Sequence, residues 1–221
     1  MKILITAGPT REAIDPVRYV SNRSSGKMGF ALAAAAREAG HEVVLISGPV
    51  GLATPVGVER VAVVSAREMH EAVKREIVGC QVAIFAAAVA DYRPVAVAEQ
   101  KIKKSGGRLT LELERTEDIL GSARELFGFA GLLVGFAAET ERLVEHAMDK
   151  LRRKRCDLII ANDVSRPGIG FDSGENAVTL CLASGEVREL PQQSKEGLAR
   201  ELMGVIFTLV SLAAAKSTKA L

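Results

Sequence analysis

The sequence carries no excess of charge of either sign. Its 221 residues hold 29 lysines and arginines against 27 aspartates and glutamates, a net charge of +2. Such a balance gives no bulk attraction to nucleic acid or to an anionic membrane surface. Cysteine is scarce. Cys80, Cys156 and Cys181 form an odd, widely spaced set, a poor disulfide framework that fits a reducing cytosol. No Cys-x-x-Cys pair exists, and His41, His70 and His146 stand at no metal-ligand spacing. They read as surface or helix-face histidines rather than as a zinc site. The 20 glycines and 7 prolines are ordinary usage, which excludes collagen-like and low-complexity chains. Aromatic residues are only 4% of the chain. The apolar-rich stretch nearest the end, residues 202–215, is interrupted and too short to span a bilayer. Met1-Lys2-Ile3-Leu4-Ile5-Thr6 runs straight into a strand pattern, without the longer apolar core and small-residue cleavage site of a signal peptide. A cytoplasmic protein with no nucleic-acid and no membrane partner is expected.

What the chain does hold is a rhythm. With 48% hydrophobic residues and this length, a single domain over residues 1–221 with its own core is expected. Short apolar runs alternate with longer helical segments. Residues 3–7, 43–46, 61–64, 82–86, 132–136 and 158–161 are apolar nearly throughout, the pattern of strands covered on both faces. Between them the spacing predicts helices over residues 26–40, from an N-cap at Ser65, from an N-cap at Thr116 through Leu126, and over 139–153. This is an α/β protein: a Rossmann-like, mostly parallel sheet with helices on both faces. Two segments depart from the rhythm. Residues 108–114 alternate strictly between polar and apolar, and residues 178–190 read as a hairpin around Ala183-Ser184-Gly185. Both are expected as antiparallel additions, of a kind that recruits a second subunit. A last helix is expected over about residues 194–214, with a frayed tail after it.

In open α/β sheets, ligands bind beyond the carboxyl ends of the strands. Thr10, Arg11, Asp91, Glu139, Asn162 and Asp163 follow those ends, and small residues such as Ala86-Ala87-Ala88 beside them admit a ligand close to the backbone. These polar residues are expected around one crevice. Ser21-Asn22-Arg23-Ser24-Ser25-Gly26-Lys27-Met28-Gly29 precedes the first helix, where hydroxyls and a helix N-terminus suit an anion or simply cap the helix. It is not a Walker loop, because Ser21 and Met28 stand where Gly and Ser or Thr are required, and Gly8-Pro9-Thr10 supplies no dinucleotide fingerprint. Lys101-Ile102-Lys103-Lys104 ends in glycine and reads as a solvated loop or as a lid that closes over a polyphosphate. Lys150 and Lys154 share a helix face near a C-terminus, where dipole compensation is the alternative.

Gly8-Pro9-Thr10-Arg11-Glu12, Asp15-Pro16-Val17-Arg18-Tyr19, the Ser21 to Gly29 segment, Ala87-Ala88-Val89-Ala90-Asp91-Tyr92, Lys101-Ile102-Lys103-Lys104, Gly135-Phe136-Ala137-Ala138-Glu139-Thr140 and Ala161-Asn162-Asp163 occur in this order. Together, over residues 2–207, they resemble the phosphopantothenoylcysteine synthetase (phosphopantothenate–cysteine ligase) family of bacterial coenzyme A biosynthesis. The resemblance implies a ligase that joins 4′-phosphopantothenate to L-cysteine with CTP and Mg²⁺, through a phosphopantothenoyl-cytidylate, releasing CMP and pyrophosphate. In most bacteria this unit is the C-terminal half of a bifunctional flavoprotein. The decarboxylase half is absent from this chain, so no flavin is expected. By resemblance, Asn22 handles the acyl-cytidylate and Lys101 serves its formation. Phe85, Ala86, Ala87, Asp91, Glu117, Asp118, Ile119, Leu120, Phe136, Lys150 and Lys154 align with nucleotide contacts, and Asp91 is a possible magnesium contact. The family often carries Pro where Glu117 stands. Its members form homodimers through added strands.

The competing reading is a Rossmann-like NAD(P)-dependent oxidoreductase. That fold wants an acidic residue closing the second strand for the ribose, and here the strand ends Ile46-Ser47-Gly48-Pro49. A non-catalytic nucleotide-binding module is the third class, which pyrophosphate release on mixing with CTP and phosphopantothenate would reject.

Overall fold

Successive side chains of a strand point to opposite faces of its sheet, and the apolar runs divide accordingly. In a computed structural model, Ile3, Ile5, Val43, Leu45, Val82 and Ile84 join one core cluster, while Leu4, Val44, Ile46, Ala83 and Phe85 join a second on the other face. Residues 1–104, 106–163 and 173–219 are described. Ser105 of the lysine loop and residues 220–221 of the expected tail fall outside them.

The elements run β1 (Lys2–Ala7), β2 (Arg11–Ala13), β3 (Tyr19–Ser21), α1 (Lys27–Glu38), β4 (Glu42–Ser47), β5 (Glu59–Ala62), α2 (Ala66–Glu76), β6 (Val82–Phe85), β7 (Tyr92–Pro94), β8 (Leu113–Arg115), α3 (Ile119–Glu125), β9 (Leu132–Glu139), α4 (Leu143–Lys154), β10 (Leu158–Asp163), β11 (Glu175–Leu182), β12 (Val187–Ser194) and α5 (Lys195–Lys219). Eight strands form one sheet in the order β12-β11-β10-β9-β6-β1-β4-β5. Neighbours from β10 through β5 are parallel, and β11 and β12 are antiparallel additions. Helices α1 and α5 cover one face, and α2, α3 and α4 the other. The expected α/β sheet is therefore present. It reverses direction at β1: the chain steps outward to β4 and β5, then returns to β6 on the opposite side. That reversal opens a crevice at the carboxyl ends of β1 and β6.

Close packing fixes the start of α1. A Cβ on Gly29 would stand 2.5 Å from the Ala7 Cβ, and one on Gly48 would stand 1.8 Å from the Pro9 carbonyl oxygen. The helix and the loop after β4 can thus lie against the β1 end only as glycine. Gly26, at φ 78°, supplies the left-handed turn into α1.

Some sequence expectations are corrected. The N-cap of α3 is Asp118, whose carboxylate accepts from the Gly121 N–H at 3.0 Å. Thr116 instead donates its hydroxyl to the Ala90 carbonyl at 2.6 Å. The helix expected from residue 139 begins at Leu143, because β9 runs on through Glu139. Of the alternating run at residues 108–114, only the end is strand: β8 pairs with the three-residue β7, which is too short to order the rest. Leu109, Leu111 and Leu113 are exposed, as are Val95 and Val97 nearby. The helix α5 continues to Lys219, since its last turns hold good helix formers and no breaker. Residues 195–215 are long and apolar enough by length and composition to cross a membrane, which residues 202–215 alone are not. Within the fold, Leu198, Leu202 and Ile206 of this helix belong to the core on the α1 face.

All three cysteines are free and buried. Burial pushes the Cys156 thiol up to about 12, so it is a core residue rather than a nucleophile.

Candidate active site

The crevice has a volume of about 1040 Å³. It crosses the carboxyl edge of the sheet, from the α4 layer on one face to the α1 N-terminus and the start of α5 on the other. Its floor is the end of β6 and the chain that follows. Ala86 donates to the Thr6 carbonyl and Ala88 to the Gly8 carbonyl, at 3.2 and 2.9 Å. The Ala87 N–H donates to the Thr6 hydroxyl at 3.2 Å. These bonds hold small residues in line with β1, where a larger side chain would fill the space.

Asn22 lies across this floor. Its side-chain amide donates to the carbonyls of both Ala88 and Val89, each at 3.0 Å. The Asn22 amide thus joins the segment before α1 to the segment after β6.

Helix α4 presents His146, Asp149, Lys150, Arg153 and Lys154 to the crevice, the i, i+3, i+4, i+7, i+8 face of one helix. Lys150 donates to the Phe136 carbonyl at 2.7 Å, and burial holds its pKa below the ordinary lysine value. Lys154 pairs with Asp118. Burial alone would raise the Asp118 carboxyl; the hydrogen bonds from Lys154 and the Gly121 N–H outweigh it and hold the group below the usual range. Glu117 accepts from Arg93 at 2.9 and 3.0 Å, and Arg93 also bonds Glu114 at 2.8 Å. The β7–β8 ribbon is thereby tied to the start of α3. The Glu139 carboxylate accepts from His146 Nδ1 at 3.1 Å.

Of the sequence-predicted residues, Asn22, Phe85, Ala86, Ala87, Asp91, Glu117, Asp118, Ile119, Leu120, Phe136, Lys150 and Lys154 all line this one crevice, with Glu139 and Asn162. Thr10, Arg11 and Asp163 do not. Thr10 is buried, and its hydroxyl accepts from the Ala90 N–H at 2.9 Å. Arg11 stacks on Tyr19, 4.6 Å from the ring centre, and lines a separate, smaller cavity. Asp163 follows Asn162 on a strand, so alternation sends its side chain the other way. His146, Asp149 and Arg153 were missed, although their helical spacing from Lys150 and Lys154 carried the signal. Asn176, at the start of the antiparallel β11, and Lys195, just after the end of β12, also line the crevice.

Lys101 is exposed and lies outside the crevice lining. Its neighbour is anchored: the Ile102 N–H donates to the Asp15 carboxylate at 3.1 Å, and Arg18 donates to the Ile102 carbonyl at 2.8 Å. Arg18 also pairs with Asp15. That pair, with the N–H groups of Val17, Ile102 and Arg18, holds the Asp15 carboxyl well below the usual carboxylate range despite its burial. A group whose pKa falls on folding stabilises the fold above its unfolded value, about 3.9, and loses that contribution as the pH drops through the folded value. Asp15→Asn is therefore expected to melt at a lower temperature than the parent at pH 7, with the gap narrowing below about pH 4. Thermal melts at pH 7 and pH 3 check this; an unchanged gap would show that the carboxylate charge contributes nothing.

No group of three or more His, Cys, Asp or Glu side chains capable of holding a metal ion occurs among the described residues. Asp91 lines the crevice, and its carboxylate is of the donor type that hard cations take alongside phosphates and water.

The family described as DNA/pantothenate metabolism flavoprotein C-terminal domain matches residues 1–209. The coenzyme A biosynthesis bifunctional protein CoaBC of Vibrio cholerae is 54% identical over 207 residues, 93% of this chain and 52% of that protein. The Escherichia coli CoaBC is 49% identical, covering 94% of this chain and 52% of its own length. The chain thus spans about half the length of the curated relatives it matches. A crystal structure of the C-terminal domain of CoaBC superposes with a TM-score of 0.79 at 46% identity, covering 94% of this chain and 95% of the other. A Cab2 variant solved with phosphopantothenate-cysteine shares the fold, with a TM-score of 0.81 at 16% identity over 98% of this chain and 88% of that one.

Proposed function

The chain belongs to the DNA/pantothenate metabolism flavoprotein C-terminal domain family, and from that premise we propose that it joins 4′-phosphopantothenate to L-cysteine with CTP. The observation that carries this reading is the single crevice in which Asn22, the Ala86 to Ala88 floor and the α4 lysines meet. CTP would lie along the β6 end, with Phe85, Ala86, Ala87 and Asp91 below it. The turn Glu117 to Leu120, Phe136, Lys150 and Lys154 would surround it. Such a layout supports in-line attack by a carboxylate on the α-phosphate, with pyrophosphate leaving and an acyl-cytidylate formed. The amine of cysteine then attacks the acyl carbon and CMP leaves.

Each residue type answers a need of that chemistry. Two anions must approach in the first step, and fixed cations offset their repulsion. Asp91 would hold a Mg²⁺ carried on the triphosphate, and that ion would supply charge to neutralise the phosphates. Lys101 would swing in on its anchored loop and complete the shell of cations, excluding water from the anhydride. The Asn22 amide can donate to an oxyanion and accept from an amine, which suits the second step. The NAD(P) alternative is not favoured: β4 closes on Ser47, which is buried and bonded to the Gly48 carbonyl, and offers no acid for a ribose.

A mixture of the protein with CTP, Mg²⁺, 4′-phosphopantothenate and cysteine should yield phosphopantothenoylcysteine and CMP by mass spectrometry. Unchanged substrates, or turnover without cysteine in the product, would reject the ligase.

The exposed Leu109, Leu111 and Leu113, with Val95 and Val97 beside them, make the β7–β8 arm the proposed seat of a homodimer. Light scattering should give twice the 23.5 kDa chain mass. An active species of one chain would refute the dimer.

A further inference from the structure

A second cavity, of about 400 Å³, lies at the β4–β5 edge of the sheet, apart from the crevice. It is large enough for a small organic molecule. Two arginines from different elements line it, Arg11 of β2 and Arg60 of β5, and no Asp or Glu does. Backbone pairing brings them together: the Arg11 N–H donates to the Val64 carbonyl, just beyond β5, at 2.8 Å. Arg60 sits on the α1 face of its strand, with its guanidinium 5.2 Å from the centre of the Phe30 ring.

Neither guanidinium has a carboxylate to neutralise it among the described residues. Arg11 stacks on Tyr19 and makes no side-chain hydrogen bond among them. Arg60 donates through Nη1 to the Leu52 carbonyl at 3.0 Å and reaches the Ser47 hydroxyl through Nη2 at 3.5 Å. Its Nε is buried and has no hydrogen-bond partner among the described residues. A cation withdrawn from water without a counter-charge is costly, and an unmet donor on a charged group adds to that cost. The carboxylates that the chain brings near are engaged elsewhere. Glu12, next to Arg11 in sequence, accepts from the Ala66 N–H, and Glu68 accepts from the Val64 N–H, both at 2.8 Å. An oxyanion in the cavity would supply the missing charge.

The planar fork of arginine takes phosphate oxygens in pairs, and its weak hydration suits a half-buried position. We propose that Arg11 and Arg60 form a second anion site, which binds a phosphate group, free or borne on a small organic molecule. The site is separate from the crevice and independent of the ligase reading. Pro49, Val50, Val63 and Val64 add an apolar wall, against which the organic part of a phosphomonoester would lie. The same wall touches the crevice side of the fold. Val50 packs so close to Gly8 and Gly26 that a Cβ on either would stand 3.1 Å from its Cγ1. A ligand in this cavity therefore rests against the loop that backs the turn into α1.

The readout is the Arg60 Nε–H signal in a proton–nitrogen correlation spectrum of the full chain, identified by its absence from Arg60→Lys. Inorganic phosphate and phenyl phosphate are the probes. In the parent protein this signal should shift saturably with either one. Arg11→Gln removes one charge-assisted contact and breaks no hydrogen bond of the fold, so it should fold normally and weaken the binding by about 10–100-fold. Arg11→Lys should recover part of the loss. Lys154→Gln, in the crevice, should leave the curve unchanged. Tighter binding of phenyl phosphate assigns the site to an organic phosphate, and equal binding assigns it to the free ion. The proposal is overturned if the parent signal shows no saturable shift, if Arg11→Gln follows the parent curve, or if Lys154→Gln weakens the binding as much as Arg11→Gln does. Should Arg60→Lys fail to fold, titration calorimetry of the parent, Arg11→Gln and Lys154→Gln with the same probes makes the same comparison.

Discussion

Lys101→Gln is expected to release pyrophosphate from CTP about 10²–10³-fold more slowly than the parent, the cost of one preorganised charge contact to a reacting phosphate. Its fold should be intact. The loop is held by Ile102, through Asp15 and Arg18, and not by the Lys101 side chain, which is exposed. Surface substitutions of this kind change stability by roughly ±0.5 kcal/mol, so a kinetic loss of this size cannot come from unfolding. Glutamine keeps reach and hydrogen bonding and removes only the charge. The parent loop should also resist trypsin when CTP and phosphopantothenate are both present, because closure hides Lys101, Lys103 and Lys104. Near-normal pyrophosphate release by the variant, with equal cutting of the parent with and without ligands, would make this a solvated loop.

Asn22→Asp should fail at the other half of the reaction. The Asn22 amide donates to the Ala88 and Val89 carbonyls. A carboxylate there loses both donors and sets a negative oxygen against two carbonyl oxygens and, during turnover, against an acyl phosphate. Activation of the acid proceeds from the lysine side and should survive. Acyl-cytidylate should accumulate in the presence of cysteine, with product formation reduced by about 10²-fold or more. Quenched-flow mass spectrometry distinguishes this from a general loss: product at the parent rate, or no intermediate at all, would remove Asn22 from the second step.

The parallel sheet was legible because its strands are apolar on both faces, a signal that needs no partner outside the strand itself. The strand ends then pointed to the crevice. The elements that were misread depend on information held elsewhere in the chain. Residues 108–114 alternate like a strand, but among the described residues they pair only with the three-residue β7. Thr116 has the chemistry of a cap, yet its hydroxyl is taken by Ala90, and Asp118, two residues on, caps α3. Thr10 and Arg11 follow a strand as site residues do; the β2–β3 hairpin, set by Glu12 accepting from the Ala66 N–H at 2.8 Å, turns them to other work. Asn176 could not be found from strand ends, because it opens the antiparallel β11, whereas Lys195 follows the end of β12, which runs in the direction of β10.

The pairing of Lys154 with Asp118 has a bearing on which anions the protein tolerates in the cell. With no nucleotide present, that ammonium already has a carboxylate beside it, so the α4 end does not present its full positive charge to passing ions. A monovalent anion gains little by displacing Asp118. On the proposed reading, a triphosphate that engaged Lys150 and Lys154 together would gain enough to break the pair. The site would thereby act as a threshold on charge density and discriminate against abundant small anions before any base is read.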